Sequence, residues 1–326
     1  MEIRDQQNEF PPSNHSKLLV DERDEFSNGN SIHDFAVRST MRNPRRFLHL
    51  ILPALLATAP LMTAQQRRAQ PPQSVRLYVF DCGSLNIPDT SPYQLKKEEL
   101  ATTYMSVPCF LVAHPKGTMI WDTGAVPDTA FKPGGAPGTL RYATSKRPLT
   151  AQLAEIGYRP ADITYLTFSH FHWDHVGNGN LFAGSTWLVR KPERDVMFSD
   201  PPSPRTEPAN YSALKNSKTV IVTNDDHDVF GDGTVVLKAT PGHSPAHQVL
   251  FLKLAKTGPV VLSGDLYHYP EERKFNKIPT TEFNAAETAA SRAALEDFLK
   301  KTGAQLWIQH DFTANAKLKK APAFYD

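Results

Sequence analysis

The stretch Ser169-His170-Phe171-His172-Trp173-Asp174-His175 follows directly on the apolar run 163–168. A short strand therefore delivers a dense polar cluster at its C-terminal end, where layered α/β proteins carry their sites on loops. Four potential metal ligands stand within six residues. Neutral imidazoles and a carboxylate are ligands that zinc prefers, and His170 and His172, two residues apart, can face one ion from an extended or turning loop. Asp174 and His175 point differently and are free for a second ion. A loop without metal would leave three histidines and an aspartate crowded together with unpartnered lone pairs, which is costly in a buried place.

Further ligands stand at the ends of later apolar runs. His243 follows the run 234–238, within Thr240-Pro241-Gly242-His243; Asp265 follows 259–263, within Ser263-Gly264-Asp265; and His310 closes 306–309. Each alone is weak, because a polar residue after a strand more often caps a loop. Together they offer a third histidine for one ion, a third ligand for the other, and a carboxylate able to bridge the two.

The surrounding chain predicts the frame. Residues 75–80, 109–113, 119–121, 163–168 and 185–189 read as strands, and 219–223, 234–238, 248–252, 259–263 and 306–309 repeat the pattern. Two helices stand out. Residues 150–156 end before Gly157, and 285–301 start behind Asn284 with Glu287 three residues on, a capping-box-like beginning, and stop at Gly303. Many strands in two halves with few helices between them point to two stacked sheets with helices outside, an α/β layered fold. Residues 124–148 and 198–211, rich in proline, read as long loops that could wall a site.

The first 64 residues read differently. Residues 1–40 carry eight acidic and four basic side chains with little apolar periodicity, and are expected to be disordered or to precede the true translation start. Residues 41–64, a basic patch, an eleven-residue apolar run and a tail of small residues, have the layout of a secretory signal peptide. The run is too short to span a bilayer and Pro53 interrupts it, so no stable membrane span is expected in the mature form and the protein is expected in the periplasm or secreted. Residues 65–326 then form the remaining domain.

The composition suits a globular protein: of 326 residues 40% are hydrophobic and 21% charged. With 36 Lys and Arg against 34 Asp and Glu, there is no basic excess of the kind that binds nucleic acid. Two cysteines, Cys82 and Cys109, exclude a disulfide framework and a four-cysteine zinc site, and leave open whether the two pair.

The pattern His170-x-His172-x-Asp174-His175, with His243, Asp265 and His310 in that order, resembles the metallo-β-lactamase superfamily, and within it the dinuclear N-acyl homoserine lactonases. The likeness runs over residues 75–326 and includes Asp122-Thr123-Gly124 after the strand 119–121. It implies an αββα sandwich of two stacked mixed β-sheets with helices on the outer faces. It also implies two divalent metal ions, zinc first with Fe, Mn or Co as alternatives. His170, His172 and His243 would bind one ion, Asp174, His175 and His310 the other, and Asp265 would bridge them. Asp122 would orient ligands, although Asp-Thr-Gly is also good turn chemistry. His247 is given no catalytic role. The best-known lactonases have a tyrosine three positions after the bridging aspartate; here that position is His268, between Tyr267 and Tyr269, so either His268 replaces it as a hydrogen-bond donor, or a neighbouring tyrosine reaches in, or the substrate differs, and His268 is expected near the pocket.

The resemblance implies opening of a lactone ring by a hydroxide held between two ions, with Asp174, Asp265 and His268 as the catalytic side chains and a small acyl lactone as the partner molecule. Tyr104, Met105, Phe110, Trp173 and Phe182 are candidates for a wall along the acyl chain. The same ligand set would serve a phosphotriesterase-like enzyme or a glyoxalase-II-like thioesterase. The latter needs basic residues near the site, and only Lys146-Arg147 and Arg273-Lys274 suggest themselves. A metal-binding or redox module is the non-enzyme reading, disfavoured by His172 where redox relatives carry Glu. The oligomeric state stays open, a homodimer among the readings.

Overall fold

The computed structural model describes residues 68–132 and 134–326; the expected disordered segment and signal peptide lie outside them. The first half runs β1 (Arg76–Asn86), β2 (Tyr104–His114), β3 (Gly117–Trp121), β4 (Gly138–Leu140), β5 (Ala143–Ser145), α1 (Leu149–Glu155), β6 (Tyr165–Thr167), β7 (Thr186–Val189), α2 (Lys191–Met197) and β8 (Thr219–Ile221). The second runs β9 (Asp226–Asp228), β10 (Val235–Ala239), β11 (Gln248–Leu254), β12 (Gly258–Leu262), α3 (Pro270–Phe275), α4 (Ala285–Thr302), β13 (Gln305–Trp307), α5 (Phe312–Lys317) and β14 (Phe324–Tyr325).

The strands form two mixed sheets. The larger follows β4-β5-β1-β2-β3-β6-β7-β8, with β14 also on β1; the smaller follows β13-β12-β11-β10-β9. Alternation of side chains assigns the layers. Leu77 and Val79 of β1 and Leu250 and Leu252 of β11 meet in one buried cluster between the sheets, with Phe110, Trp121 and Leu237. Their neighbours Tyr78 and Phe80 face outward to Leu149 and Leu153 of α1, and Val249 and Phe251 face Leu295 and Leu299 of α4. Both sheets are thus covered outside by helices, the αββα order the sequence implied. β2 is buried along its length after Tyr104, as a central strand covered on both faces must be.

All ten expected strands are present. Within the expected loop 124–148, residues 138–145 fold the β4–β5 hairpin onto β1, where Gly138 packs against Val126 and Phe131. Helices α2, α3 and α5 were not expected. Each is six or seven residues long, too short to display a helical apolar period. α4 starts as expected: the Asn284 side chain accepts from the backbone N–H of Ala286 and Glu287, and Gly303 closes the helix in the left-handed region. Cys82 and Cys109 form a disulfide. Among the described residues no helix is long and apolar enough to cross a membrane.

Candidate metal centre

Parallel pairing brings the ligand loops to one place. β3, β6 and β7 run parallel in the larger sheet, and β12 and β13 run parallel in the smaller. The loops leaving β3, β6, β12 and β13 therefore emerge at matching ends, and carry Asp122, the His170–His175 cluster, Asp265 and His310. The antiparallel turn from β10 to β11 adds His243 and His247.

Seven residues expected as ligands converge in two groups. His170 Nε2, His172 Nδ1 and His243 Nε2 lie 2.6 to 3.2 Å apart, with Asp265 Oδ2 at 3.6 Å from His170 and 3.4 Å from His243. On the other side Asp265 Oδ1 lies 3.0 Å from His175 Nε2 and 3.1 Å from His310 Nε2. Asp174 Oδ2 completes that group at 3.7 and 3.5 Å from the same nitrogens. Each group could hold one metal ion, and Asp265 turns one carboxylate oxygen to each.

The donors fit a cation. Three imidazole nitrogens face one another at van der Waals distance or less, an arrangement that lone pairs alone make repulsive. His175 Nε2 and Asp265 Oδ1 are buried without a hydrogen-bond partner, a costly state that a cation between them relieves. Burial, then the neighbouring imidazoles, hold His170 and His172 well below the ordinary histidine range, so both are neutral and free to donate a lone pair. Burial works against charge on Asp265, but His175 and His310 outweigh it and hold the carboxyl well below its ordinary range.

The outward nitrogens are fixed in turn. His175 Nδ1 donates to Asp122 Oδ2 at 2.9 Å, and the same carboxylate accepts from Ser169 N–H, Ser169 Oγ and Gln309 Nε2. Asp122 reaches these four donors because its backbone sits in the left-handed region, φ 54°, tied to Thr167 O through its own N–H. It orients a ligand and also shapes the turn. His243 Nδ1 donates to Glu282 Oε1 at 2.9 Å; burial would raise Glu282, yet this bond holds it at about 2. His310 Nδ1 donates to Ser106 O. His247 Nε2 accepts from the Asp265 N–H at 3.0 Å and steadies the shared carboxylate from below. Glu193, fully buried, accepts from Phe171 N–H, Ser244 Oγ and Ala246 N–H, so it clasps the His170 loop to the His243 loop. Glu193, Glu282 and Ser106 are far from the ligands in sequence and carry no local signal, and Gln309, though next to His310, is an ordinary strand-end residue until folding turns it onto Asp122.

A cavity of about 290 Å³ lies over both groups, lined among others by Tyr93, Met105, Tyr142, Trp173 and His268. His268 stands in this wall, Nε2 3.4 Å from Asp265 Oδ2 and Nδ1 3.2 Å from Glu272 Oε1. Burial opposes its charge, while Glu272 and Asp265 outweigh burial and raise the imidazole to about 10 before any cation's charge is added. Of the five expected wall residues, Met105 and Trp173 line the cavity. Phe110 is buried between the sheets, on a strand position that alternation turns inward, and Phe182, at the end of the helical turn 179–182, is buried on the other face of the larger sheet. Tyr104 packs on Phe312 instead. The basic residues at the mouth are Arg141 and Arg205, brought in by the two long loops, and not the Lys or Arg pairs the sequence suggested.

The sequence model described as metallo-beta-lactamase superfamily matches residues 102–310. The chain belongs to that superfamily. Among superfamily members it is similar to the N-acyl homoserine lactonase AttM of Azorhizobium caulinodans, 29% identical over 271 residues, covering 77% of this chain and 99% of the relative. It is also similar to the lactonase AiiA of Bacillus thuringiensis subsp. kurstaki, 27% identical over 222 residues, 66% of this chain and 85% of the relative. A crystal structure of an N-acyl homoserine lactone hydrolase, with the product N-hexanoyl-L-homoserine at its catalytic metal centre, superposes with a TM-score of 0.63 at 25% identity. It covers 77% of this chain and 99% of that one. The superfamily fold expected from the ligand pattern is therefore the fold observed.

Proposed function

We propose that this protein is a metallo-hydrolase that opens the ring of N-acyl homoserine lactones, and so quenches signalling by them. In this reading two divalent ions, zinc first, sit in the two groups that share Asp265. The carrying observation is that shared carboxylate between two buried clusters, in a chain whose similar curated proteins are lactonases. Ions bound there supply hydroxide at neutral pH and polarise the ester carbonyl.

The chain's own residues do the rest. His170, His172 and His243 hold one side of the centre, and Asp174, His175 and His310 the other. Asp122, Glu282 and Ser106 fix the tautomers that turn the lone pairs inward. Asp174, the more exposed of the two ligand carboxylates, faces the cavity, where it would take a proton from the water that adds and pass it to the ring alkoxide as that leaves. His268 presents Nε2 to the same space as a donor for the substrate. Water adds to the carbonyl carbon, the acyl–oxygen bond of the ring breaks, and the products are a carboxylate and an alcohol on one chain. Arg141 and Arg205 favour one second reading, a substrate with its own carboxylate, such as a glutathione thioester.

Proton release at constant pH from a panel of N-acyl homoserine lactones, beside paraoxon and a thioester, tests this on protein whose metal has been counted. Fast lactone opening with about two metals per chain is the expected result. Two bound metals with no lactone turnover would overturn it.

Export belongs to the same proposal. It is supported by the signal-like layout of residues 41–64 and by the Cys82–Cys109 disulfide, a bond that persists in oxidising compartments. N-terminal sequencing of protein from the cell exterior or periplasm should begin near Ala64; a mature chain that still carries residues 41–64 would refute export by cleavage.

A further inference from the structure

The metal centre has two cavities beside it. Besides the 290 Å³ cavity over the ligands, a second of about 820 Å³ opens on the far side of Arg205. The two share His172, Pro204, Arg205, His243 and Thr281, so they adjoin across a common wall. The guanidinium of Arg205 is the divider: Nη2 donates to Thr281 O at 2.8 Å, and Nη1 lies 3.2 Å from His172 Nε2. The second contact is weak when His172 uses Nδ1 as a ligand. Nε2 then carries the proton, and a guanidinium has only donors to offer it. The divider is thus held at one carbonyl.

The linings differ. Phe171, Val196, Pro201, Pro202, Pro245 and Phe283 make the second cavity largely apolar, and prolines add no backbone N–H that a polar ligand could use. Phe283, 65% exposed at its rim, is a large apolar surface without a cover. In the first cavity the natural apolar wall, Trp173, is already covered. The Arg141 guanidinium lies 5.1 Å over its ring, the Tyr142 ring meets it edge-on at 5.2 Å, and Trp173 is only 6% exposed.

We propose that the second cavity receives the acyl tail of the substrate, with the tail passing Arg205, and that the enzyme prefers medium to long acyl chains. This rests on the lactonase reading above. The polar ring and amide occupy the smaller cavity over the ligands, and each further methylene enters apolar surface until the second cavity is full.

The test is a chain-length series, butanoyl to dodecanoyl, on the metal-loaded protein. In the wild type kcat/KM should rise roughly threefold to fourfold per methylene before it levels off. Val196→Trp, which fills the cavity, should flatten that rise; Ser199→Trp fills it from the loop side should Val196→Trp fail to fold. Tyr142→Ala, on the other wall, should move all chain lengths together. A flat wild-type series, or a slope abolished by Tyr142→Ala and kept in both filled variants, would overturn the proposal. Silence on every lactone would instead defeat the proposed reaction. Calorimetric binding of the ring-opened N-acyl homoserines then decides about the cavity: affinity that grows with chain length and is lost in the filled variants supports it, and a flat series overturns it.

Discussion

Asp265 offers Oδ2 to one histidine group and Oδ1 to the other, so a change of one oxygen to nitrogen separates a structural role from a chemical one. Asp265→Asn keeps the shape and the buried volume. It cannot present two equivalent acceptors, and its amide nitrogen would turn donor hydrogens toward one ion. We expect metal content to fall from about two per chain toward one or none, turnover to fall by about a hundredfold or more, and far-ultraviolet dichroism to stay unchanged. Full turnover with normal metal content would contradict the shared role. The cluster from His170 to His175 is legible in sequence because imidazoles and carboxylates so closely spaced have few other uses, whereas His243, Asp265 and His310, each weak alone, are tied to it by the superfamily pattern. The side chains that aim them are not legible there: Glu282 and Glu193 are single acidic residues in ordinary surroundings, recognisable only when folding buries them against His243, Phe171 and Ser244.

At the scale of elements, Glu193 on α2 joins two ligand loops, and its ionisation state can be followed. Burial pushes its carboxyl from the ordinary 4.5 up to about 7, against the lowering effect of bonds from Ser244, Ala246 and Phe171. A folded value above the unfolded one means that its favourable contribution is complete below about pH 4.5 and is lost as pH rises through 7. The stability advantage of wild type over Glu193→Gln should therefore grow by about 3 kcal/mol from pH 8 down to pH 4.5. Denaturant unfolding of both proteins across this range measures it, and an advantage that stays constant or shrinks on acidification would refute the assignment. α4 serves the same centre through its first turn. The Asn284 N–H donates to Gly242 O, and Thr288 Oγ1 donates to Glu282. Gly242 has φ 131°, and a Cβ there would come within 2.2 Å of Thr288 N. Gly242→Ala should accordingly lower both stability and metal affinity, as read by thermal unfolding with and without zinc; unchanged values for both would show that the turn has room to yield.

For the whole molecule, the candidate centre draws its residues from loops of both sheets, so an ion bound there and the fold would stabilise each other. An ion that binds only the native chain adds about 2.7 kcal/mol at a hundredfold excess over Kd. Chelation should lower the melting temperature by several degrees, and zinc should restore it; an unaltered melting curve after verified metal removal would show the ligand loops to be rigid without it. Ten of the fourteen strands, the ends of α4 and the candidate ligands are readable along the chain, because period, caps and donor chemistry are local properties; β4, β5, β9 and β14, two or three residues each, are too short to show a period. Packing across the molecule settles that the parallel pairs β3–β6 and β12–β13 end at the same place, that Asp122 collects four hydrogen bonds, and that Cys82 reaches Cys109 across β1 and β2. It also decided which aromatic residues face the cavity, sending Phe110 and Phe182 to the core, and it set Arg205 between two pockets. These are outcomes of long-range packing: which face of a strand or which loop meets the site depends on what the opposite sheet leaves uncovered, and no neighbouring residue in the chain encodes that.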